Sequence, residues 1–332
     1  MQKIGILGAG AWGTALAQTA RRAGRDVTLW AREPEVADAI NRSHENALFL
    51  PGVSLDEGIL ATTEAAQAVR TADAVLLVAP AQHLRAVTAS IADDMAESAP
   101  LIVCAKGIEQ GTGALLHQVV GETLPGHDVA VLSGPTFAAE VARGMPTAVT
   151  VASTSNTLAL AITKALATPT FRIYPSNDPV GAEIGGAVKN VLAIGCGIVD
   201  GRGLGDNARA ALITRGLAEI ARLTVALGGK RETLMGLAGL GDITLTCNAM
   251  QSRNYSLGIA IGQGRSLQDI LAERRSVAEG VATSISVSEV SERLGVDMPI
   301  AKAVAGILHL NEPVDSAIQS LLSRPMPDAE NI

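Results

Sequence analysis

A glycine-rich turn near the N-terminus constrains the fold of this chain more than any other feature. An apolar strand, residues 4–7, leads into the G-x-G-x-x-G pattern of Gly8, Gly10 and Gly13, and a helical pattern follows at once. Gly8 permits a tight turn, Gly10 lets the backbone approach phosphates, and Gly13 lets the helix pack closely on the strand. The N-terminus of the following helix suits an anion. The pattern therefore predicts a pyrophosphate-binding βα unit and a dinucleotide as its ligand.

The same turn contains Ala11 and Trp12, which we include with the three glycines among the predicted cofactor-binding residues. A large aromatic side chain here either covers the cofactor or packs against the next strand, and the sequence leaves both open. The choice of dinucleotide depends on the end of the second strand, where Trp30 stands in place of the usual acid and Arg32 follows. Because an arginine there binds a 2′-phosphate, NADP is favoured over NAD, although Glu33 keeps NAD open.

Composition narrows the class of protein. A chain of 332 residues, 48% of them apolar, is long enough for two domains. The net charge of −7 argues against a nucleic-acid surface. The three cysteines and five histidines show no spacing typical of a disulfide framework or a metal site, so we predict no metal and a reducing, cytoplasmic location. The most apolar run, residues 184–199, is short and interrupted by Lys189 and Asn190, so we predict no membrane insertion. A strand begins almost at the N-terminus, with no charged region followed by an apolar segment, so we predict no export signal.

Up to about residue 180, short β-branched runs alternate with helical patterns. This alternation predicts a mainly parallel, doubly wound α/β sheet domain over residues 1–180. After a break at residues 175–179, long stretches with a 3.6-residue period predict an all-α domain over residues 181–332. The predicted strands are 4–7, 26–30, 74–78, 101–104, 129–132 and 148–152, and the predicted helices of the first domain are 11–23, 35–42, 83–93, 114–123, 136–142 and 156–167.

A lysine interrupts the most apolar helical segment. Lys189 and Asn190 lie within a run that is apolar on nearly every face and is therefore predicted to be a buried helix. A buried lysine needs a partner, and desolvation favours the neutral amine that proton transfer requires. Asp242, which follows a glycine-rich apolar stretch, is the candidate carboxylate. A structural ion pair would explain the same residues, and an Asp after Gly is also common as a helix N-cap.

Further polar residues suit an anionic substrate. Ser252, Arg253 and Asn254 offer a hydroxyl, a bidentate cation and an amide within one turn, which suits a phosphate, although composition alone favours a solvated surface triplet. Lys106 follows one predicted strand, and a Gly-Pro-Thr turn follows the next. Doubly wound folds place their ligands at such carboxyl ends of strands.

As a set, these motifs resemble the bacterial-type NAD(P)-dependent glycerol-3-phosphate dehydrogenases, in order and spacing over nearly the whole chain. The resemblance implies a Rossmann-type domain followed by an all-helical domain, and a homodimer that reduces dihydroxyacetone phosphate to sn-glycerol 3-phosphate for glycerophospholipid synthesis. The motifs that carry it are Gly8 to Gly13, Ala105 to Ile108, Ser133 to Val141, Val188 to Val191, Gly239 to Cys247 and Ser252 to Asn254.

The resemblance also implies roles for individual residues. Lys189 would be the proton donor and acceptor, Asp242 its close partner, and Lys106 a further catalytic cation near the substrate carbonyl. Tyr255 stands where the family often has a basic residue. The implied substrate-binding residues are Lys106, Gly134, Thr136, Lys189, Asp242, Ser252, Arg253 and Asn254, and the implied additional cofactor contacts are Lys106, Ala138, Arg253, Val277 and Glu279.

Two alternatives stay open from the sequence. One is a related dehydrogenase of two-domain form that acts on another small phosphorylated or carboxylated hydroxy compound. Among these, the enzymes that oxidise nucleotide sugars need a catalytic thiol, which no cysteine here clearly supplies. The other is a nicotinamide-sensing protein without catalysis, and the presence of Lys189, Asp242 and Lys106 argues against it because a sensor has no need of a proton-transfer group.

Overall fold

The computed structural model describes residues 1–273 and 278–325. The chain divides into two units. The first comprises Met1–Lys106 and Leu115–Pro179, and the second comprises Gly107–Ala114 and Val180–Ile332. A single boundary near residue 180 therefore does not describe the short segment that follows Lys106, because this segment belongs with the second unit.

The first unit is built on an eight-stranded sheet. Its strand order is β10-β9-β8-β7-β6-β1-β2-β5, and β3 and β4 form a separate antiparallel ribbon. All neighbours in the large sheet pair in parallel except β8 and β9, which are antiparallel. The strands are β1 (Lys3–Leu7), β2 (Asp26–Trp30), β3 (Glu45–Asn46), β4 (Leu50–Ser54), β5 (Ile59–Thr62), β6 (Ala74–Leu77), β7 (Leu101–Val103), β8 (Val129–Ser133), β9 (Thr147–Ala152) and β10 (Phe171–Ser176).

Helices connect most of these strands. The central strands contribute buried side chains such as Ile6, Leu29, Leu76 and Ile102 to the core, and small residues of the first helix, among them Ala17, pack into it. Burial of these apolar side chains supplies the main stabilising free energy of the unit. The helices are α1 (Ala11–Arg22), α2 (Pro34–Ser43), α3 (Ala65–Val69), α4 (Leu84–Ala89), α5 (Leu116–Thr123), α6 (Ala138–Ala142) and α7 (Asn156–Leu166).

This topology confirms the predicted α/β class and the mainly parallel sheet. Six predicted strands are present with bounds that differ by at most one residue, and the prediction missed β5, β10 and the small ribbon. The predicted break at residues 175–179 began too early, because Pro175 lies inside β10 and pairs with Val151. Since β10 is an edge strand, a residue without an N–H is tolerated there.

The second unit is helical. Over its described residues it consists of helices, short helical turns and loops. A turn of π-helix, Leu237–Gly241, precedes α10. The α-helices are α8 (Pro179–Gly201), α9 (Asp206–Ala226), α10 (Asp242–Thr246), α11 (Arg253–Gly262), α12 (Leu267–Glu273), α13 (Glu279–Arg293), α14 (Pro299–His309) and α15 (Val314–Leu322).

The long helix α8 forms the core of the second unit. It is longer than the apolar run seen in the sequence, and by length and composition alone it could cross a membrane. Its apolar window is nevertheless buried throughout inside the protein, which is the environment of a core helix. Lys189 lies in the middle of this buried helix, as the sequence predicts.

The segment Gly107–Ala114 packs against α13. The Ser286 hydroxyl donates to the carbonyl of Ile108 at 3.0 Å, and the Arg293 guanidinium donates to the carbonyl of Thr112 at 3.2 Å. Gly113 has a positive φ of 69°, and a Cβ at this position would lie 2.6 Å from Val290. Glycine is therefore required where the segment crosses the helix.

Candidate active site

The three glycines of the first turn have distinct geometric roles. A Cβ at Gly8, where φ is +121°, would lie 2.9 Å from the backbone nitrogen of Ala79, and a Cβ at Gly13 would lie 1.8 Å from the Gly8 carbonyl oxygen. A Cβ at Gly10 would meet no atom of the described residues within 4 Å. Gly8 and Gly13 are thus required by packing, whereas Gly10 opens space at the start of α1. That space and the helix N-terminus fit the pyrophosphate of a dinucleotide.

Asn46 holds the glycine turn in place, a role that the sequence did not predict. Its side-chain nitrogen lies 2.8 Å from both the Ala9 carbonyl oxygen and the Thr14 hydroxyl, and its side-chain oxygen accepts from the Phe49 N–H at 3.2 Å. The residue is 1% exposed. Trp12 packs against the core of the first unit, and its indole N–H is buried with no partner among the described residues.

The end of β2 carries an exposed guanidinium. The Arg32 Nε and Nη2 atoms donate to one carboxylate oxygen of Glu33 at 3.0 and 2.7 Å, while the Arg32 side chain is 76% exposed. Trp30 donates its indole N–H to the Thr63 carbonyl at 3.0 Å. A guanidinium with this exposure is accessible to a ligand phosphate, and the Glu33 carboxylate competes for it.

Three predicted substrate residues meet at the ends of β7 and β8. The Lys106 ammonium donates to the Gly134 carbonyl at 3.0 Å, and the Thr136 hydroxyl donates to the same oxygen at 3.3 Å. Gly134 has a φ of +153°, and a Cβ there would lie 2.9 Å from the Cα of Val149. Ala138 follows at the first position of α6, which begins two residues later than predicted.

A buried ion pair lies in the second unit. The Lys189 ammonium donates to a carboxylate oxygen of Asp242 at 2.7 Å and to the Thr246 hydroxyl oxygen at 2.6 Å. The side chains of Lys189 and Asp242 are 8% and 0% exposed. Two charges buried in this way are tolerated only when paired and hydrogen bonded. The structure thus brings together the lysine and the carboxylate that the sequence proposed as partners, and it adds Thr246, one helical turn after Asp242.

Close backbone packing places Asp242 next to α8, the helix that carries Lys189. A Cβ at Gly185 of α8 would lie 2.4 Å from the Ala238 carbonyl oxygen, and a Cβ at Gly239 would lie 2.2 Å from the Leu234 carbonyl oxygen. The π-helical turn therefore lies directly on α8, and α10 begins with Asp242 at its first position. Asp242 is thus the first helical residue, with Gly241 as the N-cap.

The Ser-Arg-Asn triplet is not a solvated surface turn. Ser252 is buried and caps α11 by accepting from the Tyr255 N–H at 3.2 Å. Asn254 is buried, donates to the Asn190 side-chain oxygen at 2.9 Å and accepts from the Gly280 N–H at 3.1 Å. Arg253 is exposed at the first position of α11. The solvated interpretation is therefore wrong for the serine and the asparagine.

The two remaining predicted cofactor contacts belong to the second unit. Glu279 is the first residue of α13. Val277 lies outside the described residues. No contact of either residue with a cofactor is tested by the structure, and both stay predictions.

Two of the three cysteines are poorly suited to supply a reactive thiolate. Cys104, Cys196 and Cys247 are free and buried. Burial raises the pKa of the Cys104 thiol, and a hydrogen bond with the Cys247 thiol, together with burial, raises the pKa of the Cys196 thiol. Since the thiolate is the nucleophile, these two groups are poorly suited to covalent catalysis. Within the described ranges, no group of three His, Cys, Asp or Glu residues has a metal-binding arrangement.

The first unit has a glycine turn between a strand of a doubly wound sheet and the helix that follows, and the second unit has a buried lysine-carboxylate pair on packed helices. Together these features place the chain in the class of pyridine-nucleotide-dependent dehydrogenases. Two family models match the chain. The model of the NAD-dependent glycerol-3-phosphate dehydrogenase N-terminus matches residues 3–159, and that of the C-terminus matches residues 178–319. The chain belongs to the NAD-dependent glycerol-3-phosphate dehydrogenase family.

Individual relatives agree with this assignment. The chain is 62% identical to a glycerol-3-phosphate dehydrogenase [NAD(P)+] of Rhodospirillum rubrum, over 97% of this chain and 93% of the relative. It is 56% identical to the enzyme of that name from Caulobacter vibrioides, over 99% of both chains. The crystal structure of glycerol-3-phosphate dehydrogenase from Coxiella burnetii is similar with a TM-score of 0.94 and 38% identity, covering 97% of this chain and 99% of that one.

Proposed function

We propose that the chain catalyses the reversible reduction of dihydroxyacetone phosphate to sn-glycerol 3-phosphate with NAD(P)H, and that Lys189 transfers the proton. The observation that carries the proposal is the Lys189 ammonium, buried and held at 2.7 Å by Asp242 and at 2.6 Å by Thr246. An ammonium fixed in a buried site both stabilises the negative charge that develops on a carbonyl oxygen and protonates it. Family membership supports the choice of substrate.

Lys189 acts in both directions of the reaction. The bound nicotinamide supplies the hydride, and the Lys189 ammonium gives a proton to the substrate oxygen. In the reverse direction the neutral amine takes the proton of the alcohol. Asp242 stabilises the charged form of Lys189, and Thr246 fixes the direction of its N–H bonds.

Arg253 is the proposed partner of the substrate phosphate. It is exposed, it lies at the N-terminal end of the ten-residue helix α11, and a guanidinium binds phosphate in a bidentate manner. The side chains of Ser252 and Asn254 are buried and form hydrogen bonds within the protein. We therefore propose that these two residues shape the first turn of α11 and also border the substrate. The other proposed substrate-binding residues belong to the first unit and are Lys106, Gly134 and Thr136.

The first unit binds the cofactor, and we propose a preference for NADP. Arg32 supports this proposal because its exposed guanidinium at the end of β2 is placed to bind a 2′-phosphate. We further propose a cytoplasmic homodimer that supplies glycerophospholipid synthesis. The three buried free thiols suit a reducing compartment, and sedimentation of the purified protein measures the oligomeric state.

The experiment compares wild-type protein with a Lys189→Met variant, following loss of reduced-cofactor absorbance with dihydroxyacetone phosphate. Because removing Lys189 takes the neutralising ammonium away from the buried Asp242 carboxylate, a second variant, Lys189→Met with Asp242→Asn, removes both charges. Lys302→Met, at an exposed position on α14, is the control. We expect both site variants to bind cofactor and to lose turnover by a factor of at least about 100.

The results with the variants and with the wild-type protein distinguish the proposed function from its alternatives. Turnover retained in a folded Lys189 variant would rule out the proton-transfer role. Wild-type protein that binds cofactor without reducing dihydroxyacetone phosphate would favour another small phosphorylated or carboxylated substrate, or the cofactor-sensing alternative.

A further inference from the structure

The helix that carries Lys189 and the helix that begins with Arg253 are in backbone contact. A Cβ at Gly197 of α8 would lie 2.1 Å from the Tyr255 carbonyl oxygen, and a Cβ at Gly258 of α11 would lie 2.1 Å from the Ile194 carbonyl oxygen. The same holds one turn further along both helices, where a Cβ at Gly262 would lie 2.6 Å from the carbonyl oxygen of Ile198. The backbone of α11 therefore packs on α8 from its first turn onward, and the side chains of that turn add further contacts.

Tyr255 supplies such a contact in the first turn of α11. Its hydroxyl donates to a carboxylate oxygen of Asp200, near the end of α8, and the Arg209 guanidinium of α9 donates to the same oxygen. Tyr255 is 5% exposed. Burial and the bond to Asp200 raise the pKa of Tyr255 to about 12, so the hydroxyl is protonated and able to donate at neutral pH.

The position of Tyr255 in the helix determines what this contact does. Tyr255 follows Arg253 by two residues, which is about 200° around an α-helix. A ring held against α8 therefore turns Arg253 to the opposite side, where it is exposed. Asn254 makes a second connection, to Asn190, which is adjacent in sequence to Lys189. The start of α11 is thus tied to α8 near Lys189 and near Asp200.

We propose that Tyr255 is a positioning residue that, through Asp200, orients the first turn of α11 and so fixes where the Arg253 guanidinium lies relative to Lys189. The inference rests on the proposed function, in which Lys189 serves the substrate carbonyl and Arg253 serves its phosphate. In dihydroxyacetone phosphate these two groups are separated by one methylene and one oxygen. A guanidinium held in one position relative to the ammonium would therefore favour ketones that carry a phosphate on the adjacent carbon.

The test compares Tyr255→Phe with Tyr174→Phe, a matched control at a tyrosine 49% exposed on β10 of the first unit. Each protein is assayed at saturating NADPH with dihydroxyacetone phosphate and with dihydroxyacetone, which lacks the phosphate. We expect Tyr255→Phe to raise KM for the phosphorylated substrate about fivefold, with kcat changed less than about twofold, because one hydrogen bond to a charged group is lost. We expect kcat/KM for dihydroxyacetone to match that of the control.

A second variant keeps the outcome decisive if Tyr255→Phe does not fold. Asp200→Asn retains the tyrosine and weakens the same bond, and we expect KM for dihydroxyacetone phosphate to rise about twofold to threefold, with dihydroxyacetone unaffected. Equal losses with both substrates would show a general structural role and overturn the inference, as would an unchanged KM. Wild-type protein that does not reduce dihydroxyacetone phosphate would refute the proposed function itself, whereas a Tyr255 variant that behaves like the control refutes only the positioning role.

Discussion

Glu219 is a buried acid outside the Lys189–Asp242 ion pair, and it allows a quantitative prediction about stability. It lies on α9, is 3% exposed, and accepts the N–H groups of Ile300 and Ala301 at 2.8 and 3.2 Å, in the first turn of α14. Burial raises the pKa of Glu219 to about 7. The two N–H bonds and Arg222 oppose this rise, and the charge of Asp297 adds to it.

The sign of the effect follows from proton binding. Between pH 4.5 and about 7, the unfolded chain releases the Glu219 proton while the folded protein keeps it. The unfolded state then binds fewer protons, so the free energy of unfolding falls as pH rises. The whole difference between the two pKa values corresponds to about 3 kcal/mol, of which about 2 kcal/mol is lost between pH 5.5 and pH 8.

The assay is urea unfolding of wild-type protein and of Glu219→Gln at pH 5.5 and pH 8. The glutamine keeps an acceptor oxygen for α14 and has no charge to desolvate. Its stability relative to wild type should therefore rise by about 2 kcal/mol from the lower to the higher pH. Glu232→Gln, at an exposed position of the same unit, is the control and should show no such change. A stability difference between Glu219→Gln and wild type that is the same at both pH values would rule out a raised pKa of Glu219 in the folded protein.

Two further predictions concern the cofactor site. Gly10→Ala should leave the thermal midpoint unchanged, because its Cβ meets no described atom within 4 Å, yet raise KM for NADPH by about tenfold, since the methyl group enters the space assigned to the pyrophosphate. The control is Gly121→Ala on α5, where a Cβ also meets no described atom within 4 Å. An unchanged KM for NADPH in Gly10→Ala would rule out binding of the pyrophosphate at Gly10. Arg32→Ala should raise KM for NADPH by about tenfold and leave KM for NADH nearly unchanged, as measured by steady-state kinetics. Equal changes with the two cofactors would contradict the 2′-phosphate assignment.

The fold was predictable where it depends on local sequence. The glycine turn, the alternation of strands and helices, and the buried apolar run around Lys189 are short-range patterns, and the structure contains all of them. Pro175 was misleading because a proline is a break only when its N–H is needed, and an edge strand does not need it. The antiparallel pairing of β9 with β8 depends on the path of the chain between them and has no local signal.

The site was predictable in part. The spacing of Asp242 and Thr246, one helical turn apart, could have identified the second partner of Lys189. Asn46 could not have been found in this way, because its contact with Ala9 joins β3 to the glycine turn, 37 positions apart in the sequence. The burial of Asn254 likewise depends on the packing of α11 against α8 and α13. The residue types of this buried triplet are also common in surface turns, so composition alone favoured the solvated interpretation, which is wrong for Ser252 and Asn254.

Product formation by the wild-type protein tests the proposed reaction directly. Purified protein is given dihydroxyacetone phosphate with NADPH or NADH, and the product is identified by nuclear magnetic resonance alongside the loss of reduced-cofactor absorbance. We expect one sn-glycerol 3-phosphate for each reduced cofactor consumed, with a lower KM for NADPH than for NADH. Cofactor binding without formation of sn-glycerol 3-phosphate would contradict the proposed reaction.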